Sequence, residues 1–200
     1  MALSVDPPFD GYIFMESDPK KCTALRALAG DYPKRSIDVQ CGDANELLQR
    51  LARKNWAAHR AVLFLDPYGM QVAWDTMRAV AATHAIDVWI LFPLGIATQR
   101  LLQRDGNVPP GWAAALTRIF GADAWRDEFY HVVQEPTLFD RSERIEKTAT
   151  AQSIASFYKR RLRDEFAVVA PNHVLLRNST GCPLYMLCFA AGRPGRGGDI

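Results

Sequence analysis

Three acidic residues in this chain follow short strand-like runs. Glu16 follows Tyr12 to Met15, Asp43 follows Ile37 to Cys41 with only Gly42 between, and Asp66 follows Ala61 to Leu65. In an open α/β sheet the residues just beyond the carboxyl ends of the strands face the ligand crevice. Carboxylates there suit a nucleoside: one accepts both ribose hydroxyls, a second takes the adenine amino group, and a third lines the reacting centre. Asp66 also opens the run Asp66-Pro67-Tyr68. Methylation of an exocyclic or ring nitrogen needs an acceptor that positions the amino group and a flat surface that holds the base. An acid with neighbouring carbonyls supplies the first and an aromatic ring the second. Each acid has a plainer role as well. Glu16 reads as a solvated strand-end charge, Asp43 as a helix N-cap paired with Glu46 in a capping box, and Asp66 as the cap of a Pro-Tyr-Gly turn.

Other chemistries lack their residues. No GxGxxG follows a strand, and there is no GxxxxGK[ST], HExxH or GxSxG; the fingerprints of dinucleotide binding, phosphate loops, zinc proteolysis and serine hydrolysis are therefore missing. Cys22, Cys41, Cys182 and Cys188 form no CxxC pair and the histidines are single, so zinc-ligand spacing is missing too. Each cysteine sits in an apolar stretch and reads as a free, buried thiol. The net charge of +2 demands no polyanionic partner, although a local basic stripe would suffice for one. Neither a signal segment nor a membrane-spanning run is legible, and a reducing cytoplasm fits best.

The elements that must carry these acids alternate. Apolar strands are predicted at 12–15, 37–41, 61–65 and 86–92, with helices between them. Asp18-Pro19 supplies an N-cap and first helical residue, Cys22, Leu25 and Leu28 share a face, and Gly30 stops that helix. Leu47, Leu48 and Leu51 mark the buried side of the next helix. A third, over 74–83, turns Met77, Val80 and Ala81 inward. Strands apolar throughout predict a doubly wound, mostly parallel sheet with helices on both faces. Residues 96–148 read as a helical insertion anchored by Trp112, Phe120, Trp125 and Phe129, with a loop over 131–145. A helix over 150–166 presents Ile154, Phe157, Tyr158, Leu162 and Phe166, and its basic run Lys159-Arg160-Arg161 reads as a solvated face. Strands at 174–176 and 184–189 predict a C-terminal antiparallel hairpin. The whole is expected to be a single α/β domain over 1–191 followed by a disordered tail, 192–200.

The block LFLDPYGMQVAWDTM, followed by AIDVWILFPLG and QRLL, resembles the three-Cys-motif partner protein family, a bacterial group. YIFMESDPKK, GDANELL and VLLRNSTGCPLYMLCFA extend the resemblance over nearly the whole chain. It implies a Rossmann-like fold similar to class I S-adenosylmethionine-dependent methyltransferases, with S-adenosylmethionine as cofactor. By that analogy Glu16 takes the ribose position, Asp43 and Ala44 the adenine position, and Asp66, Pro67 and Tyr68 the catalytic-motif position. The implied partner is a three-cysteine-motif protein similar to radical enzymes. The first functional expectation is a methyltransferase acting on nucleic acid, which a pocket joining Glu16, Asp43 and Asp66 with Arg100, Arg104 and the arginines of 159–163 on the same side would support. Two departures stand out. One proline rather than two precedes Tyr68, and the first strand of the fold, with its glycine-containing cofactor turn, is expected to be missing. The missing turn supports a second expectation, a non-catalytic partner or scaffold that keeps the fold.

Overall fold

The computed structural model describes residues 2–66, 70–136 and 141–194. It divides into two compact units, Met1–Lys54 and Asn55–Ile200.

The first unit is a β-α-β-α run. Strand β1 (Tyr12–Glu16) leads to helix α1 (Pro19–Gly30), then strand β2 (Ile37–Cys41) to helix α2 (Ala44–Ala52). The local chemistry explains each start. Asp18 caps α1 by accepting from the Lys20 amide at 2.8 Å, and Pro19 fits the first turn because its missing N–H would have no partner there. Asp43 accepts from the Asn45 and Glu46 amides at 2.9 and 3.2 Å. Gly42, at φ +152°, takes a conformation that other residues rarely adopt and turns the chain from β2 into that cap. The strands pair in parallel, Tyr12 with Ile37 through Glu16 with Cys41. Tyr12, Cys22, Leu47 and Leu48 are buried in the unit, whereas Ile13 and Leu28 are exposed.

The second unit is built on a five-stranded mixed sheet. Strand β3 (Ala61–Leu65), helix α3 (Trp74–Ala81) and strand β4 (Ile86–Phe92) form a parallel β-α-β unit. A π-helical turn (Leu94–Gln99) precedes helices α4 (Pro110–Phe120) and α5 (Trp125–Phe129). Strands β5 (Tyr130–Pro136) and β6 (Arg141–Lys147) make a separate antiparallel ribbon. Helix α6 (Ala151–Glu165) follows, then the short strand β7 (Val168–Val169), β8 (Val174–Arg177) and β9 (Pro183–Ala191). The sheet order is β3-β4-β9-β7, with β8 also on β9, and every pairing with β9 is antiparallel.

Aromatic rings fill the core of this unit. Phe92 stacks on Tyr158 with centroids 4.0 Å apart, and Phe120 meets Phe157 edge-on at 5.1 Å. Trp74, Phe120, Trp125 and Phe129 are wholly buried. The buried indole N–H of Trp74 donates to Glu165 Oε1 at 3.0 Å, so the ring's one polar atom is satisfied.

The fold is thus mixed α/β, and its parallel pairs, the helix over α6 and the β8–β9 hairpin stand where the sequence puts them. The structure departs from the sequence expectations at several places. The sheets are small and mixed, and β3 alternates, with Val62 and Phe64 53% and 60% exposed, so its uninterrupted apolar run does not mean cover on both faces. Of the residues assigned to a loop at 131–145, 137–140 lie outside the described residues, and 131–136 and 141–145 instead lie in the β5–β6 ribbon. Its apolar pair Val132 and Ile145 faces solvent, and charged residues flank it, so no burial pattern advertises it. Trp112 is 39% exposed and anchors nothing comparable to Trp125. Lys159 is buried rather than solvated. Cys22 and Cys41 are not free thiols: they form a disulfide, because the parallel β1–β2 register brings the first turn of α1 beside the end of β2. Cys188 is buried and free as expected, and Cys182 is free but exposed. The far end of the tail, 195–200, lies outside the described residues.

Candidate functional site

Glu16 ends β1 and Asp43 follows β2 by two residues, so the parallel pair places both acids at the carboxyl ends of neighbouring strands in one unit. The backbone fixes Glu16 in orientation. Its Oε1 accepts from the Ser17 amide at 2.8 Å and the Asp18 amide at 2.9 Å, while Oε2 stands 4.0 Å from Lys21 Nζ. The Asp18 amide holds the carboxyl below the usual carboxylate range against a smaller opposing effect of desolvation; the Ser17 amide and Lys21 add to the lowering. The side chain is 26% exposed, so a preoriented anion reaches the surface. The Glu16 carbonyl accepts from the Gly42 amide at 2.9 Å, which ties the strand end to the turn that precedes Asp43.

Asp43 is occupied by the structural task foreseen for it. Its Oδ1 satisfies two amides at the start of α2, and Ala44 is the first, exposed residue of that helix. Asp66 stands exposed just after β3, in the other unit. Pro67 and Tyr68 lie outside the described residues. Glu16 and Asp43 are therefore brought together by strand pairing, and Asp66 belongs to a different parallel pair.

The basic residues do not form a free stripe. Arg160 pairs with Glu128 at 2.7 Å, and Arg161 donates to the Phe120 carbonyl at 3.0 Å while its guanidinium lies 5.1 Å from the Trp74 ring centroid. Lys159 Nζ donates to the Pro171 carbonyl at 2.9 Å and lies 3.2 Å from His173 Nδ1. Burial holds Lys159 below its ordinary range, and Arg163 adds to this. Arg100, Arg104 and Arg163 are exposed. Sequence reasoning missed the Lys159–His173 pair because its partners come from a loop that no local pattern links to α6.

Described residues of the second unit line two cavities. One of about 790 Å³ is lined by Arg104, Asp105, Arg144 and Lys147 together with Glu143 and Glu146, a balanced set with no bias toward an anion. Lys147 spends its ammonium on the Gln99 and Leu102 carbonyls, at 3.1 and 2.8 Å. The other, of about 370 Å³, lies between the π-helical turn and the start of β9, lined by Gly95, Gln99, Ala151 and Cys182 to Leu184. Neither includes Glu16, Asp43 or Asp66. Oriented carboxylates at strand ends, rather than a cavity, mark the candidate site.

Among the described residues, no group of His, Cys, Asp and Glu is placed to hold a metal ion, and no helix is long and apolar enough to cross a membrane. No protein-family model and no curated protein matches the chain.

Proposed function

We propose that this protein binds a nucleoside-containing cofactor through Glu16 and is an S-adenosylmethionine-dependent methyltransferase-like member of the three-Cys-motif partner family, on a Rossmann-like frame. One observation carries the reading: Glu16 is a carboxylate oriented by two backbone amides, which favour its charged form, at the carboxyl end of a parallel strand. Such a group suits a ribose diol, since charge-assisted hydrogen bonds are short and directional and the carboxylate needs no reorientation to accept them. Asp43 and Ala44 take the adenine edge, with Asp43 keeping its hold on α2. Asp66, Pro67 and Tyr68 are assigned to a nucleic-acid methyl acceptor, for which Asp66 offers an exposed acceptor oxygen. When bound, S-adenosylmethionine supplies an electrophilic methyl group; the chain's own contribution is orientation of the cofactor and the base.

A second reading has its own support. The β3 edge of the second unit exposes Val62 and Phe64, and β3 pairs only with β4 among the described strands. An open edge with apolar side chains suits a binding scaffold that receives a strand from a partner, such as a three-cysteine-motif protein.

Calorimetric titration with S-adenosylhomocysteine separates the two. Binding in the micromolar range supports the cofactor reading. No heat at millimolar ligand contradicts it and leaves the scaffold reading, for which Phe64→Lys should abolish partner capture.

A further inference from the structure

We propose that Cys41 and Cys22 form a reversible thiol–disulfide pair, with Cys41 as the sulfur attacked by oxidant and Cys22 as the resolving sulfur. The two lie 19 residues apart in sequence and 6.0 Å apart between Cα atoms, joined as a disulfide. Their surroundings differ. Cys41 closes β2 on an exposed position, whereas Cys22 is wholly buried under the first turn of α1. Arg26, one helical turn beyond Cys22, donates from Nη2 to Cys41 Sγ at 3.2 Å. A guanidinium beside a sulfur stabilises negative charge on it, and the thiolate is the nucleophilic form. An accessible sulfur next to a cation, with a second cysteine within bonding reach, is the arrangement of a redox-responsive cysteine.

With a hydroperoxide as oxidant, the reduced Cys41 thiolate attacks the terminal oxygen and the O–O bond breaks. The hydroxide or alkoxide leaving group takes up a proton, and Cys41 becomes a sulfenic acid. Cys22, as thiolate, then attacks the Cys41 sulfur; the S–O bond breaks and the departing hydroxide is protonated to water. The pair has lost two electrons and two protons to the peroxide. A small dithiol reverses this by two exchanges, becoming a disulfide itself while Cys22 and Cys41 regain their protons. Oxidation ties the start of α1 to the carboxyl end of β2. Cys22 Sγ also lies 3.3 Å from the Glu16 carbonyl, so the tie sits against the end of β1 as well.

The other two cysteines are built-in comparisons. Burial pushes the Cys188 thiol up to about 12, which removes its reactivity, and Cys182 is exposed outside any pair. The test takes the full chain, reduced and desalted, then titrated with hydrogen peroxide, alkylated and mapped by mass spectrometry. The expected result is joint loss of two thiols at one equivalent of peroxide, a Cys22–Cys41 crosslinked peptide, and Cys182 still open to alkylation. Arg26→Gln should oxidise several-fold more slowly, and Cys22→Ala should leave a dimedone-reactive Cys41. Oxidation of Cys182 ahead of the pair, or no Cys22–Cys41 crosslink in excess peroxide, overturns the proposal. An unchanged rate in Arg26→Gln overturns the assignment of Cys41 as the activated sulfur. If Cys22→Ala does not fold, the wild-type crosslink map decides alone.

Discussion

Lys159 Nζ stands 3.2 Å from His173 Nδ1 with the Pro171 carbonyl on its other side, a buried ammonium held between two acceptors. This geometry requires His173 to accept at Nδ1 and therefore to be neutral. Desolvation first, and Lys159 second, hold its pKa below the ordinary 6.5. A base whose folded pKa is depressed binds fewer protons folded than unfolded, so stability falls as pH drops through 6.5 toward the folded value. The urea midpoint should decline between pH 7.5 and 5. His173→Asn keeps an acceptor for Lys159 without titrating, and should flatten that decline; an unaltered slope would refute the pairing. Glu16 contributes in a separate window, since its lowered carboxyl loses stability only as pH falls below about 4.5.

The aromatic core of the second unit should respond steeply to truncation. Phe120 is wholly buried, with Phe157 and Phe129 at 5.1 and 5.8 Å between centroids. Phe120→Ala should cost about 3–5 kcal/mol in urea denaturation. Trp112→Ala, at a residue 39% exposed, should cost less than about 1 kcal/mol.

Two glycines of neighbouring sequence should behave oppositely. Gly121 ends α4 at φ +74°, and a Cβ there would collide with the Trp74 ring. Gly121→Ala should therefore destabilise by more than about 2 kcal/mol, from backbone strain and overpacking together. Gly111 has open space around its Cα, and Gly111→Ala should raise stability by up to about 1 kcal/mol. Equal effects in thermal melts would contradict the assigned roles.

Much of the scaffold was legible because its signals are local. The strands at 37–41, 61–65 and 86–92 are bounded by turn residues, and Asp18-Pro19 and Gly42-Asp43 announce the helices that follow. What escaped depends on distant partners. The β5–β6 ribbon is paired by cross-strand backbone bonds and none of its described side chains is fully buried, Lys159 is held by hydrogen bonds to residues of a later loop, and Cys22 meets Cys41 only once β1 and β2 pair. The candidate site shows the same division. Asp43 as a helix cap follows from its neighbours, whereas the grip of the Ser17 and Asp18 amides on Glu16 needs the geometry of the strand end.

The affinity of Glu16→Gln for S-adenosylhomocysteine, measured beside wild type and Asp43→Asn, shows whether this carboxylate holds the ribose. Glutamine keeps the size of the side chain but removes the charge, and a hydrogen bond to a charged group is worth about 1.5–3 kcal/mol. Glu16→Gln should lose roughly 10- to 100-fold in affinity, and Asp43→Asn, where asparagine still caps α2, should lose less. Equal affinity in wild type and Glu16→Gln would contradict a role for this carboxylate in holding the ribose.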